Sequence, residues 1–72
     1  MTLTINPSDY AQLLAKYQPK VIETEAENER AIVIAEELEH KIDRTAEEST
    51  ILELLVALIA KFEDEHYPIT AG

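Results

Sequence analysis

The stretch Thr45–Tyr67 constrains this chain most, because it is the longest apolar-periodic run and contains neither Pro nor Gly. On a helix with about 100° per residue, its large apolar residues fall on one stripe: Ile51, Leu54, Leu55, Leu58 and Phe62. Thr45 and Glu48 have the spacing of a capping box, which marks a helix start. Pro68 disfavours helical dihedrals at Tyr67 and marks the end. The sequence therefore predicts one long helix here.

The apolar sector of this helix is wider than one neighbouring helix covers. Leu52, Ile59 and His66 lie just beside the stripe, and Val56 lies further round. A helix with so wide a sector packs between two neighbours, either in its own chain or across an oligomer interface. We therefore predict a homodimer, with a candidate dimer interface of Leu52, Val56 and Ile59.

A short first helix is predicted from Asn6, an N-cap followed by Pro7 at the first helical position. It runs to about Lys16 or Tyr17 and ends at Gln18-Pro19. Three turns are too few for an isolated helix to be stable. We therefore expect it to dock through the residues that share one face, namely Tyr10, Leu13, Leu14 and Tyr17.

A second long helix is predicted from Thr24, which repeats the capping-box spacing with Glu27, to about Lys41. Its stripe comprises Ala31, Ile34, Ala35, Leu38 and Ile42. Residues 42–45 are too few for anything but a reversal, so the two long helices should pack antiparallel. The predicted fold is all-α: a single domain over residues 1–72, with a short first helix packed on an antiparallel hairpin of two longer helices.

Five further apolar residues outside these stripes have predictions of their own. We expect Leu3 and Ile5 to pack an N-terminal arm onto the helices, and Val21 and Ile22 to be buried anchors of an extended linker. Val33 falls nearly opposite the second stripe. A single exposed Val is ordinary, and a second contact surface is the alternative.

The chain carries fifteen Asp and Glu against six Lys and Arg, a net charge of −9. Such a surface repels phosphate backbones, so we expect no nucleic-acid binding by this chain alone. It suits a basic protein partner, although acidic residues also simply keep a small domain soluble. No apolar run approaches the roughly 20 residues of a membrane span, and the N-terminus lacks signal-peptide features. We expect a cytoplasmic protein without membrane contact, and name as candidate partner-docking residues Glu29, Glu36, Glu37 and Glu39.

The sequence offers little chemistry for catalysis. There is no cysteine, and the only glycine is Gly72, so neither a thiol nucleophile nor a glycine-rich phosphate loop is available. Glu-x-x-His occurs at Glu37–His40 and Glu63–His66, the spacing found in di-iron helical bundles. Glu37 and His40 lie opposite the apolar stripe, however, where inward-pointing ligands are not expected. We predict no enzyme activity, metal or cofactor, and interpret His66 as a cap of its helix.

The order of these segments resembles the N-terminal region of HigA-type antitoxins, over essentially the whole chain. The most telling parts are Tyr17-Gln18-Pro19, the Ile22-x-x-Glu25-x-Glu27-Asn28-Glu29 start of the second helix, and Leu52–Tyr67 ending in Pro68. None is a catalytic signature. In that family an all-helical N-terminal region precedes a helix-turn-helix domain of the Xre/Cro type, which binds operator DNA. The partner is a small basic ribonuclease toxin that cuts messenger RNA on the ribosome.

The chain stops at Gly72, where the resemblance would continue into the DNA-reading helices. Operator binding is therefore implied for a full-length protein and not for this chain. We expect a bacterial interaction domain of a HigA-like antitoxin and transcriptional autorepressor, serving dimerisation, toxin binding or both. The alternative is a stand-alone helical protein-interaction adaptor with no toxin or DNA role, which would show the same stripes and charge.

Overall fold

The computed structural model describes residues 4–67, which form three helices and no strand. The helices are α1 (Pro7–Tyr17), α2 (Glu25–His40) and α3 (Ala46–His66). The predicted all-α fold is confirmed: α3 packs against both α2 and α1. Within the described residues, no helix combines the length and the apolar character that crossing a membrane requires.

Each helix begins where a side chain caps its first amides. Asn6 Oδ1 accepts from the Asp9 amide at 3.0 Å. Thr24 Oγ1 and Thr45 Oγ1 accept, at 3.1 Å each, from the amides three residues on. At Thr45 the capping box is complete, because Glu48 Oε1 accepts from the Thr45 amide at 2.9 Å. At α2 the reciprocal bond is displaced by one residue: Glu27 accepts from the amide of Glu23, at 2.8 Å.

The helix ends use three different devices. Gln18 closes α1 in the left-handed region, with φ 47° and ψ 56°, and its amide donates to Leu14 O at 2.7 Å. At the end of α2, the Arg44 guanidinium donates to the carbonyls of Leu38 and Glu39, at 3.0 and 3.1 Å. His66 closes α3, with its Nδ1 2.9 Å from Phe62 O and its ring stacked on that of Phe62. The structure therefore confirms the predicted capping of α3 by His66.

The hairpin of α2 and α3 is antiparallel, because Asn28 near the start of α2 donates to Glu63 near the end of α3. Small residues of α2 meet large ones of α3, which lets the two helices approach closely. The buried apolar core consists of Ile22, Ala31, Ala35, Leu38, Ile51, Leu55 and Phe62.

The burial predicted for two residues, Ile42 and Val21, is wrong. Ile42 is 96% exposed, because α2 ends at His40 and the chain turns away at Lys41, whose backbone is extended. Val21 is 53% exposed, whereas Ile22 beside it is buried. Successive side chains of an extended segment point to opposite sides, so only one of the two can face the core.

Helix α1 lies across the hairpin without a fully buried residue of its own. Its predicted face (Tyr10, Leu13, Leu14 and Tyr17) is half-buried against the core. The helix start is fixed by Glu47 Oε2, which accepts from the Asn6 amide at 2.6 Å. Ile5 is half-buried. The expected packing of Leu3 and the expected tail after Pro68 lie outside the described residues.

Candidate functional site

The hairpin has two broad sides, and α1 with its following linker covers one of them. On this covered side, Tyr17 and Ile22 line a crevice together with Arg30 and Ile34 of α2, and Glu47 of α3 binds the start of α1. The crevice has a volume of about 80 Å³, well below the roughly 300–1,000 Å³ of small-molecule sites. This crevice is therefore too small for a typical small-molecule ligand.

The opposite side of the hairpin carries apolar residues that the helices of residues 4–67 cover only in part. The Asn28–Glu63 hydrogen bond, at 3.3 Å, lies on this side. Ile32 is one turn after Asn28, and Val56 is two turns before Glu63, so both share that side. We call the surface formed by Ile32, Leu52, Val56 and Ile59 the open face. Val56 is 51% exposed and the other three are half-buried.

The three predicted dimer residues therefore lie together on the open face, at its α3 edge. Leu52, Val56 and Ile59 follow one another at four- and three-residue steps, which places them in a row along one side of the helix. Ile32 of α2 joins them across the hairpin. Sequence reasoning did not select Ile32, although it lies beside the α2 stripe just as Leu52 lies beside that of α3.

Carboxylates border the open face on both helices. Ile32 has Glu29 and Glu36 as its neighbours one turn away on α2. Val56 has Glu53 one turn before it and Glu63 two turns after it on α3. Glu29, Glu36 and Glu53 are exposed, and Glu63 is half-buried. The apolar row therefore lies between two acidic edges.

The four predicted docking residues do not share one surface. Glu29, Glu36 and Glu39 are grouped around Ile32 by helical spacing. Glu37 lies one turn after Val33 and two turns after Arg30, on the far side of α2. The acidic edge of the open face thus includes three of the four, and Glu37 is separate from it.

The basic residues within α2 and α3 are absent from this surface. Arg30, the only Lys or Arg within α2, lines the covered side. Lys61, the only one within α3, pairs with Glu65 along its own helix at 3.0 Å. At the turn, Lys41 pairs with Glu48, one turn before Leu52. Among the described residues, the ion pairs do not include the four carboxylates that border Ile32 and Val56.

Carboxylates of both long helices lie near the Tyr67 phenol. The pKa of this phenol is raised, first by a hydrogen bond with the Glu25 carboxylate, then by desolvation and by the nearby charges of Glu25, Glu63 and Glu29.

Buried polar groups rigidify this end of the hairpin. Asn28 is 5% exposed and holds the Glu63 carboxylate through its amide nitrogen. Its Oδ1 is buried, and no donor among residues 4–67 reaches it. An unpaired buried acceptor is costly, and Asn is not demanded here by the apolar pattern of α2. Sequence reasoning named Asn28 only as part of the resemblance and did not predict this hydrogen bond, because its partner lies on another helix.

A second polar cluster, at the hairpin turn, has a structural role. The Lys41 ammonium binds the Glu48 carboxylate, which lowers the pKa of Glu48 and raises that of Lys41. The Asn6 amide lowers the pKa of Glu47. Glu47 and Glu48 are both buried, and their contacts with Asn6 and Lys41 fix the start of α3. They are therefore unavailable to a partner.

Neither Glu-x-x-His pair forms a metal-binding cluster with other side chains. Glu37 and His40 are both exposed on α2, while His66 is bound to the Phe62 carbonyl. Among residues 4–67, no group of three or more His, Cys, Asp or Glu side chains has a geometry that could hold a metal ion. What remains as a candidate site is the open face. Scans against family models, curated proteins and solved structures found no significant match to this chain.

Proposed function

We propose that this chain is the N-terminal interaction domain of a HigA-like antitoxin and autorepressor. The observation that carries the proposal is the open face, where apolar residues of both long helices lie partly exposed between acidic edges. Exposed apolar residues bordered by polar ones are typical of protein–protein interaction sites. The domain therefore works by binding a protein and carries out no reaction of its own.

The resemblance of Tyr17-Gln18-Pro19 and of the α2 and α3 segments to HigA-type antitoxins supplies the proposed partner, a small basic ribonuclease toxin. A net charge of −9 supports it, because opposite charges accelerate association and select against acidic partners. In this proposal the protein is cytoplasmic and bacterial, and operator DNA is bound by a helix-turn-helix domain after Gly72. The α3 edge of the open face provides a dimer contact, a toxin contact or both.

The proposal is tested with the small basic protein encoded beside the gene for this chain. That protein should stop cell-free translation by cleaving messenger RNA, and an equimolar amount of this chain should restore it. Size-exclusion chromatography with light scattering should show the corresponding complex. If the neighbouring protein does not cleave RNA, or if cleavage continues while this chain is in excess, the antitoxin proposal is wrong.

A further inference from the structure

We infer that the open face binds a basic amphipathic helix of the protein partner, and that a second copy of this chain is not its occupant. The inference deepens the proposed function and rests on it for the partner being a protein. It assigns to a single ligand the three predicted dimer residues and three of the four predicted docking residues, without Glu37. These six residues lie on one side of the hairpin, so one partner can cover them together.

The apolar row has the length of two turns of a partner helix. Leu52 and Ile59 are two turns apart with Val56 between them, a length of about 10 Å at 1.5 Å per residue. Ile32 lies on the same side of the hairpin, on α2, where it is half-buried. Helices that dock on apolar surfaces present anchors at positions i, i+3 or i+4, and i+7. A ligand helix therefore needs only two turns of apolar residues to cover the row.

The acidic edges of the open face determine the charge of the ligand. A helix lying on the row brings its flanking residues over Glu29 and Glu36 on one side and over Glu53 and Glu63 on the other. None of these carboxylates has an ion-pair partner among the described residues. Lysines or arginines on both sides of the ligand stripe would supply the missing charges, and Asn28 holds Glu63 in place for such a contact.

The same charges disfavour a second copy on the open face. A symmetric dimer brings identical surfaces together, so the acidic edges of one copy would meet those of the other. No Lys or Arg of α2 or α3 borders the open face, and the two cations of the turn, Lys41 and Arg44, are already bound within the chain. Most of the like charges would therefore remain uncompensated. Each copy also carries a net charge of −9. Self-association through this face is therefore unfavourable except where salt screens the repulsion.

The test uses a fluorescent synthetic peptide of about 18 residues, long enough for five helical turns. It has a leucine stripe flanked by lysines. Two control peptides have the same leucine stripe flanked by glutamates, and the same lysine-rich composition in scrambled order. Anisotropy titrations should show that the chain binds the first peptide and neither control. If the scrambled peptide binds equally well, net charge alone explains the binding, and the inference is wrong.

Matched substitutions locate the binding site on the protein. Val56→Ser should weaken peptide binding about fivefold, because a half-exposed apolar contact is lost, whereas Val33→Ser, at a similar exposure of 55%, should leave it unchanged. Glu36→Gln should weaken it about threefold, and Glu37→Gln, the same charge change on the far side, should not. If the members of either pair have equal effects, the open face is not the site.

The basic neighbouring protein, used in place of the peptide, separates the two proposals. If it binds this chain but Val56→Ser and Glu36→Gln leave its affinity unchanged, the docking inference is wrong and the antitoxin proposal stands. If the substitutions change peptide binding as expected but the neighbouring protein does not bind, the antitoxin proposal is wrong and the docking inference stands. Sedimentation from about 0.05 to 0.5 M salt should show a monomer at the low end, and a low-salt dimer abolished by Val56→Ser would overturn the choice of ligand.

Discussion

Two isoleucines that a helical pattern places in equivalent positions differ completely in this structure. Ile42 continues the α2 stripe four residues after Leu38, and Ile51 begins the stripe of α3. The structure leaves Ile42 96% exposed and Ile51 0% exposed. The same truncation at both positions therefore compares burial alone. We predict that the chain loses stability when Ile51 is shortened and not when Ile42 is shortened.

The magnitudes follow from the burial. Shortening a buried Ile costs roughly 0.5–1.5 kcal/mol for Val and 2–5 kcal/mol for Ala. At 0.05–0.15 kcal/mol per residue, a chain of 72 residues has about 4–11 kcal/mol of stability in total. Ile51→Ala thus removes a large part of it, while Ile51→Val keeps the chain folded. The same changes at exposed Ile42 should stay within about 0.5 kcal/mol.

The assay is urea unfolding followed by circular dichroism, supported by thermal melts. A loss of 1 kcal/mol lowers the melting temperature of a domain this size by roughly 4–8 °C. Both Ile51 variants should melt below the parent protein, in the order of the methyl groups removed, and both Ile42 variants close to it. If Ile42→Ala costs as much as Ile51→Ala, α2 continues past His40 and the turn described here is wrong.

Three further outcomes are expected. Gln18→Gly should raise the free energy of unfolding by about 0.5–1 kcal/mol, measured in urea, because Gly adopts the left-handed cap without strain. Arg44→Ala should lower it by about 1 kcal/mol, and Arg44→Lys should restore little, because the two carbonyl bonds need the guanidinium fork. The lowered pKa of Glu47 means that its contribution is complete above the ordinary pKa of 4.5 and is lost as the pH falls through the lowered value. Glu47→Gln should therefore flatten the acid side of the stability profile.

The helix boundaries were predictable because each start is encoded locally. Asn6, Thr24 and Thr45 each accept from an amide three residues ahead, and a cap of this kind is visible in the sequence without knowledge of the fold. The end of α1 was also signalled, since Gln18-Pro19 cannot continue a helix. The all-α fold followed from these signals together with the two apolar stripes and the short connection between the long helices.

The failures occurred where the chain leaves a helix. Ile42 satisfies the α2 period, but a period predicts a face only while the helix continues, and Lys41 is already extended. The capping of α2 comes instead from Arg44, which reaches back across the turn. The burial of Glu47 was hidden for a related reason. Its partner, the Asn6 amide, lies 41 residues away in sequence, and no local pattern reports such a contact.

The candidate site was only partly predictable, because a stripe shows which residues are apolar but not which neighbour covers them. The width of the α3 sector predicted two neighbours, and the structure supplies both, α2 and α1. Val56 nevertheless stays half exposed. The side on which α1 packs is decided by Tyr17 and Glu47 contacts between distant segments. Only that choice of side reveals that Glu29 and Glu36 border the uncovered residues and that Glu37 does not.

The position of α1 also explains why the charge is divided between the two sides of the hairpin. Arg30 and Lys20 lie where the linker returns over α2, and there Lys20 compensates Glu27. No helix returns over the open face, so its carboxylates have no cation beside them within α2 or α3. Their mutual repulsion destabilises the domain slightly and is relieved whenever a cationic surface covers them. A domain with this division of charge therefore gains stability from a basic partner on the open face.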